Sequence, residues 1–285
     1  RPPRSTLFPY TTLSDLATTS FFVIMPFYKG FNKGVKDLLT DNYAEGGAWK
    51  IESKFKGPVG KFYFNPQASS KGVSVDVEYN CCPEVKTKTN FSDKGAIKPK
   101  VTWERDGHKV EATAALDKQF EVVYEGKFPG NVFFCDKFTN ETADAYAAVG
   151  FGAFSVGGGA VFSMEKQALA HWGAGVQWAD NGYMANVTTT CGKTFTTGVL
   201  APVTVADHKF TFAAQTVCGG KGGLQWILGC QFGSFLCPGA TIKCKVDQAL
   251  KVYFSWTRPV ADGWKFGFSS ECNPGCKYGV TLTRE

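Results

Sequence analysis

The side chains that could do chemistry in this chain are three histidines, ten cysteines and one run of three glycines. His108 and His208 lie in polar, turn-like stretches, and His171 precedes Trp172 at the start of a segment. None has a nucleophile or metal-ligand partner at a spacing that would assemble a site. Gly157-Gly158-Gly159 lacks the Lys-Ser/Thr pair that a phosphate-cradling loop needs in register. Cys135, Cys230 and Cys244 fall within strand-like runs, where a thiol behaves as a small apolar group. Cys272 and Cys276 flank the turn Asn273-Pro274-Gly275 and could bridge in an oxidising compartment. Cys81 and Cys82 are adjacent, and no second closely spaced pair completes a zinc set. The sequence points to no enzyme, no metal and no cofactor.

What remains is lysine. The formal net charge of +6 is spread over the whole length, which is not the clustered footprint of a nucleic-acid binder but suits a surface or cavity that attracts small anions. Lys50, Lys54, Lys61, Lys98, Lys100, Lys243, Lys245 and Lys265 stand on the polar side of alternating segments, as do Lys86, Lys88, Lys109, Lys209 and Lys251. Glu52, Asp76, Glu78, Glu104, Glu111, Glu121 and Glu125 share that side in smaller number. If this side encloses water, its potential favours anions, modestly, because salt screens charges beyond about 8 to 10 Å.

The elements that carry these lysines are strands. Trp49, Ile51 and Phe55 alternate with Lys50, Glu52 and Lys54; Val73, Val75, Val77 and Tyr79 alternate with Ser74, Asp76 and Glu78. The rhythm recurs through Val101-Trp103, Phe120-Tyr124, Phe210-Phe212, Leu250-Trp256 and Trp264-Phe268, with turns such as Asp106-Gly107 between. Residues 143 to 163 are poor in charge and rich in Gly and Ala, so polarity specifies their register weakly. One stretch differs. Phe31, Val35, Leu38 and Leu39 fall on one face of a helix, with Lys33, Lys36, Asp37 and Asp41 largely off it.

The pattern predicts an all-β chain of about nineteen segments, spaced near twelve residues, after one amphipathic helix. A soluble sandwich or propeller would bury the apolar faces together; a membrane barrel would turn them to lipid and the charged faces to a water-filled lumen. Segments near ten residues match a tilted bilayer crossing. Large aromatics near segment ends suit an interfacial girdle. No window of eighteen apolar residues exists to form a transmembrane helix. No linker divides the chain. Residues 1–24 read as a leader outside the fold, either non-native, since RPPRSTLFPYTTL looks like a translated sequencing adapter, or a disordered arm. Residues 25–285 then form a single domain, with the helix at about 27–42 and strands over about 48–284.

The stretch Asp37-Leu38-Leu39-Thr40-Asp41-Asn42-Tyr43, followed by Gly46-Gly47, resembles the helix end and joint that open the voltage-dependent anion channels, the eukaryotic mitochondrial porins. Lys243-Cys244-Lys245-Val246-Asp247 is similar to a motif near that family's end. The likeness runs from Phe27 to Glu285 in order and length, with its specific motifs at the two ends. It implies a transmembrane β-barrel whose nineteen strands, first and last parallel, are a known property of the family, with the helix inside the pore. It implies a voltage-gated, weakly anion-selective channel of the mitochondrial outer membrane that passes small ions, metabolites, ATP and ADP, with lipid as its surroundings and a barrel homo-oligomer among its states. Lys33 and Lys36 would lie at the constriction, and Gly46 and Gly47 would serve as the hinge. Two departures stand out: Asp41 occupies a usually basic position, and the family's lipid-facing glutamate has no counterpart among Val85, Thr87, Thr89 and Phe91. A related protein-import barrel and a soluble β-rich binding protein are the competing expectations; the cationic polar face argues against the first.

Overall fold

The structure, a computed structural model, describes residues 28–43, 48–57, 60–115, 119–220, 222–260, 263–273 and 275–284. The expected hinge at Gly46 and Gly47 and the expected leader at 1–24 lie outside the described residues.

Alternation of apolar and polar side chains produces one sheet in which each strand pairs antiparallel with its neighbours in sequence. Trp49–Ser53 and Phe55–Lys56 are one strand interrupted at Lys54, whose N–H still donates to the Arg284 carbonyl (3.2 Å). With that strand counted once, nineteen strands close into a barrel. An odd number of strands that reverse direction at each turn leaves the first and last running the same way. Trp49–Ser53 accordingly pairs parallel with Cys276–Arg284, Trp49 opposite Val280 and Ser53 opposite Arg284. Strand lengths run from 7 residues, as at His108–Ala114, to 13 at Ala168–Asp180, on either side of the ten or so expected from the sequence. The turn at Asp106 and Gly107 has both residues at positive φ (51° and 82°), the tight two-residue form whose twist matches the flanking strands. The weakly specified stretch Thr142–Ser163 pairs in unbroken register within its own hairpin, and only its next pairing slips, between Val161 and Phe162.

The usual order of inside and outside is inverted. Phe62, Phe64 and Val73 are 47%, 44% and 51% exposed, while Asp76 and Gln177 on interior faces are 4% and 2% exposed. Pairing shows why: residues opposite each other share a face, so Phe64 with Val77 and Val77 with Thr89 form an outer row, and Asn65 with Asp76 and Asp76 with Asn90 an inner one. The dry packing inside gathers chiefly about the helix, with Phe133, Cys135, Ala148 and Val161 buried on a separate part of the wall. Phe31, Val35, Leu38 and Leu39 are all buried, the latter three against Met184 and Ala213, with Leu200 and Ile227 beside them. Burial of each such side chain stabilises by about 1.5–3 kcal/mol.

The helix is shorter than expected and broken. A 3₁₀ turn at Tyr28–Gly30 precedes the α-helix Lys33–Thr40, and between them Asn32 takes a left-handed conformation (φ 67°). A continuous helix over 27–42 would deny Asn32 the contacts it makes with the wall.

Candidate functional site: the lumen and its helix

The helix lies along one sector of the interior, contacting the strands Thr194–Val205, His208–Gly219 and Gln225–Gly233; the 3₁₀ turn meets Thr142–Phe151 and Phe154–Ser163. Each end is held by polar groups. At the start, the Asn32 N–H donates to Gln177 Oε1 (3.2 Å), its Nδ2 donates to Gln215 Oε1 (3.2 Å), and Asn186 Nδ2 donates to Asn32 Oδ1 (3.1 Å). Tyr28 stacks on Tyr146 (5.6 Å), and Lys29 reaches Asp144 (3.7 Å). At the far end, Lys243 Nζ donates to the carbonyls of Asp37 (3.1 Å) and Asp41 (3.4 Å), and Lys245 Nζ to that of Leu39 (2.8 Å). Ser255 Oγ donates to the Asn42 carbonyl (2.6 Å). The last carbonyls of a helix have no intrahelical partner and carry partial negative charge, so two ammonium groups are well matched to them.

Close approach requires absent side chains. A Cβ at Gly229 would stand 2.6 Å from the Leu39 methyl, one at Gly173 would meet the Tyr28 hydroxyl at 2.5 Å, and one at Gly198 would overlap the Asn32 side-chain oxygen. Gly198→Ala is expected to cost about 1–3 kcal/mol by overpacking and to speed proteolysis of the helix in bilayer-inserted protein. Gly233→Ala, where a Cβ meets nothing within 4 Å, should leave the cleavage rate unchanged.

The predicted lysines separate into three groups. Lys243 and Lys245 face the interior as expected, but they do not present their charge to open water; both are spent on helix carbonyls, and Lys245 also lies over the rings of Tyr43 (4.3 Å) and Tyr253 (4.5 Å). Lys50, Lys54 and Lys100 are paired, with Glu52 (2.6 Å), Glu78 (3.8 Å) and Glu111 (2.6 Å). Lys88 and Asp76 (2.8 Å), Lys109 and Glu111 (2.9 Å), and Lys251 and Glu271 (3.3 Å) extend this pattern. Lys33 and Lys36 on the exposed helix face, with Lys61, Lys86 and Lys98 on the wall, have no carboxylate at ion-pair distance among the described residues. Lys265 lines, with Lys50, Lys54 and Lys88, a cavity of 1110 Å³ between the helix end at Asn42–Tyr43 and the wall near the closing strands. Among the described residues no group of His, Cys, Asp and Glu could hold a metal ion. Cys272 and Cys276 are joined as a disulfide across their turn.

The docking residues Asn32, Gln177, Asn186, Gln215 and the seat glycines were not anticipated. One signal marks them. Apart from Lys209 at a strand end, the interior positions of the strands from Phe154 to Gly233 carry no lysine, arginine or carboxylate. That uncharged sector is where the helix lies.

A closed barrel with apolar side chains outward and a charged, cavity-bearing interior is a membrane-spanning pore, set in a lipid bilayer and passing small solutes. Compared with models of protein families, the chain matches the eukaryotic porin over residues 24–278. It belongs to that family, the voltage-dependent anion channels, whose members are channels rather than enzymes. A search of the curated proteins found no match.

Proposed function

We propose that residues 25–285 act as one barrel domain, a voltage-gated, weakly anion-selective channel of the mitochondrial outer membrane for small ions, metabolites, ATP and ADP, with no catalytic role. One observation carries the anion preference. Of the interior carboxylates, Glu52, Asp76, Glu78, Glu111, Glu121, Asp144 and Glu271 are each matched by a lysine and Glu104 and Asp247 are not, whereas five lysines, Lys33, Lys36, Lys61, Lys86 and Lys98, are left over among the described residues. Paired charges largely cancel at a distance, so the unpaired ammonium groups set the field that a permeating ion meets. Among the described residues no ion pair joins the helix carboxylates Asp37 and Asp41 to Lys33 or Lys36. The gating and the membrane of residence follow from family membership rather than from geometry.

Lys33 and Lys36 stand on the element that narrows the lumen, where a charge alters the field most. Lys33→Glu with Lys36→Glu should therefore shift the zero-current potential under a salt gradient toward cation preference in planar bilayers. An unchanged potential would overturn the assignment of these two lysines to the conducting path. A protein-import role would instead favour acidic or apolar interior tracks for basic segments, and the surplus of free lysines disfavours it.

A further inference from the structure

Three arginines fall within the described residues, and all three stand on the outer face at one rim of the barrel. Arg105 ends the strand Ile97–Arg105, Arg258 is next to last in Val252–Pro259, and Arg284 ends Cys276–Arg284. Each continues an outward row: Arg105 after Val101 and Trp103, Arg258 opposite Phe266, and Arg284 after Val280 and Leu282. Their surroundings differ. Arg105 is matched by the carboxylates of Glu84 (3.7 Å) and Asp106 (3.2 Å). Arg258 and Arg284 have no ion pair among the described residues.

These two arginines are neighbours. Only the strand Trp264–Cys272 separates them, with Phe266 opposite Arg258 and Trp264 opposite Arg284. Strand spacing and rise set their Cα atoms about 12 Å apart, close enough for two extended side chains to reach one group above Trp264. The Arg284 guanidinium carbon lies 5.7 Å from the centre of the Trp264 ring and 5.9 Å from that of Phe55. Ring faces hold the guanidinium in place and leave its N–H donors unused. Phe55 belongs to the first strand, so this contact straddles the seam, where the pairing is parallel and interrupted at Lys54. Ser53 stands directly opposite Arg284 across the seam; it is 6% exposed, and its hydroxyl has no hydrogen-bond partner. The rim therefore gathers two guanidinium forks and one buried hydroxyl with no carboxylate among them. Below it, Ile51, Leu282 and Phe266 form a continuous apolar row toward mid-bilayer.

We propose that Arg258, Arg284 and Ser53 form a site for the phosphate of one anionic phospholipid, seated across the seam; the inference rests on the membrane-barrel reading. Guanidinium forks match phosphate oxygens in pairs, and a phosphate oxygen is the acceptor that the Ser53 hydroxyl lacks. The acyl chains lie along Ile51, Leu282 and Phe266. A zwitterionic headgroup brings its own cation, which the two arginines repel, so a net negative headgroup is preferred. The test refolds the full chain into phosphatidylcholine vesicles containing a minor share of phosphatidylglycerol, extracts it in mild detergent and weighs it by native mass spectrometry. Wild type should carry one phosphatidylglycerol. Arg258→Gln and Arg284→Gln should each lower the ratio of occupied to empty protein about fivefold, and the two together about thirtyfold. Ser53→Ala should lower it less, and Arg105→Gln should leave it unchanged. The single variants keep the test open where the double one fails to insert. Wild type without bound lipid, equal retention of phosphatidylcholine, or a loss in Arg105→Gln as large as in Arg284→Gln overturns the proposal. So does displacement of the lipid by inorganic phosphate at the same concentration, because the site then takes a free anion. Conductance of the same preparations keeps the readings apart: a wild type that forms no pore fails the channel, whereas a conducting wild type without bound lipid fails only the site.

Discussion

Val75→Arg should destabilise the bilayer-inserted protein by about 2–4 kcal/mol, while Ser74→Arg, one residue earlier on the same strand, should leave insertion nearly untouched. Val75 sits in the outer row between Pro66 and Phe91, the latter 42% exposed. An arginine there must hold its guanidinium in hydrocarbon, thin the lipid around it or reach along the wall to the headgroups, and each response costs free energy. Ser74 faces the opposite way and lines the interior cavity alongside the charged side chains of Lys50, Lys54 and Lys88, so an arginine there stays among polar groups. The measurement is the fraction folded into vesicles against denaturant concentration for the two variants. If Ser74→Arg were the damaging substitution and Val75→Arg the silent one, inside and outside would be exchanged, and the pore would be lost with them. The comparison is sharp because the two positions share a strand, its flanking strands and nearly the same depth, and differ in the face they occupy.

That contrast was legible in the sequence because a strand has a side-chain period of two, and Val73, Val75, Val77 and Tyr79 never share a face with Ser74, Asp76 and Glu78. The apolar helix face was legible for the same kind of reason, at a period of 3.6. Ion pairs such as Lys100 with Glu111 follow once adjacent strands are placed, since the two are 11 residues apart around one turn. What stayed hidden depends on groups far away in the chain. The left-handed turn at Asn32 is held by amides 145, 154 and 183 residues distant, and no local pattern announces it. Lys243 and Lys245 read as lumen charges because their actual partners are backbone carbonyls, which every residue possesses and which no sequence pattern distinguishes.

Lys243→Met combined with Lys245→Met should release the end of the helix from the wall. Hydrogen bonds from charged donors contribute about 1.5–3 kcal/mol each, and Lys243, only 8% exposed, makes its bonds where water competes little. Methionine keeps most of the aliphatic stem and the packing against the helix but offers nothing to the carbonyls of Asp37, Leu39 and Asp41, so those groups lose their donors together with the favourable field at the helix end. The apolar contacts of Val35 and Leu38 with Met184 and Ala213, and the amide cluster around Asn32, remain to hold the other end. The expected result is therefore a helix that swings from its start, not one that is lost: faster cleavage near Asp41 by a protease admitted to the lumen, and larger current fluctuations in the open single channel at unchanged barrel stability. Lys243→Gln with Lys245→Gln, which restores a neutral donor at each position, should recover part of the quiet open state. Equal protease resistance in the methionine pair and in wild type would mean that the apolar face and Asn32 suffice, and that the two ammonium groups act on permeating ions after all.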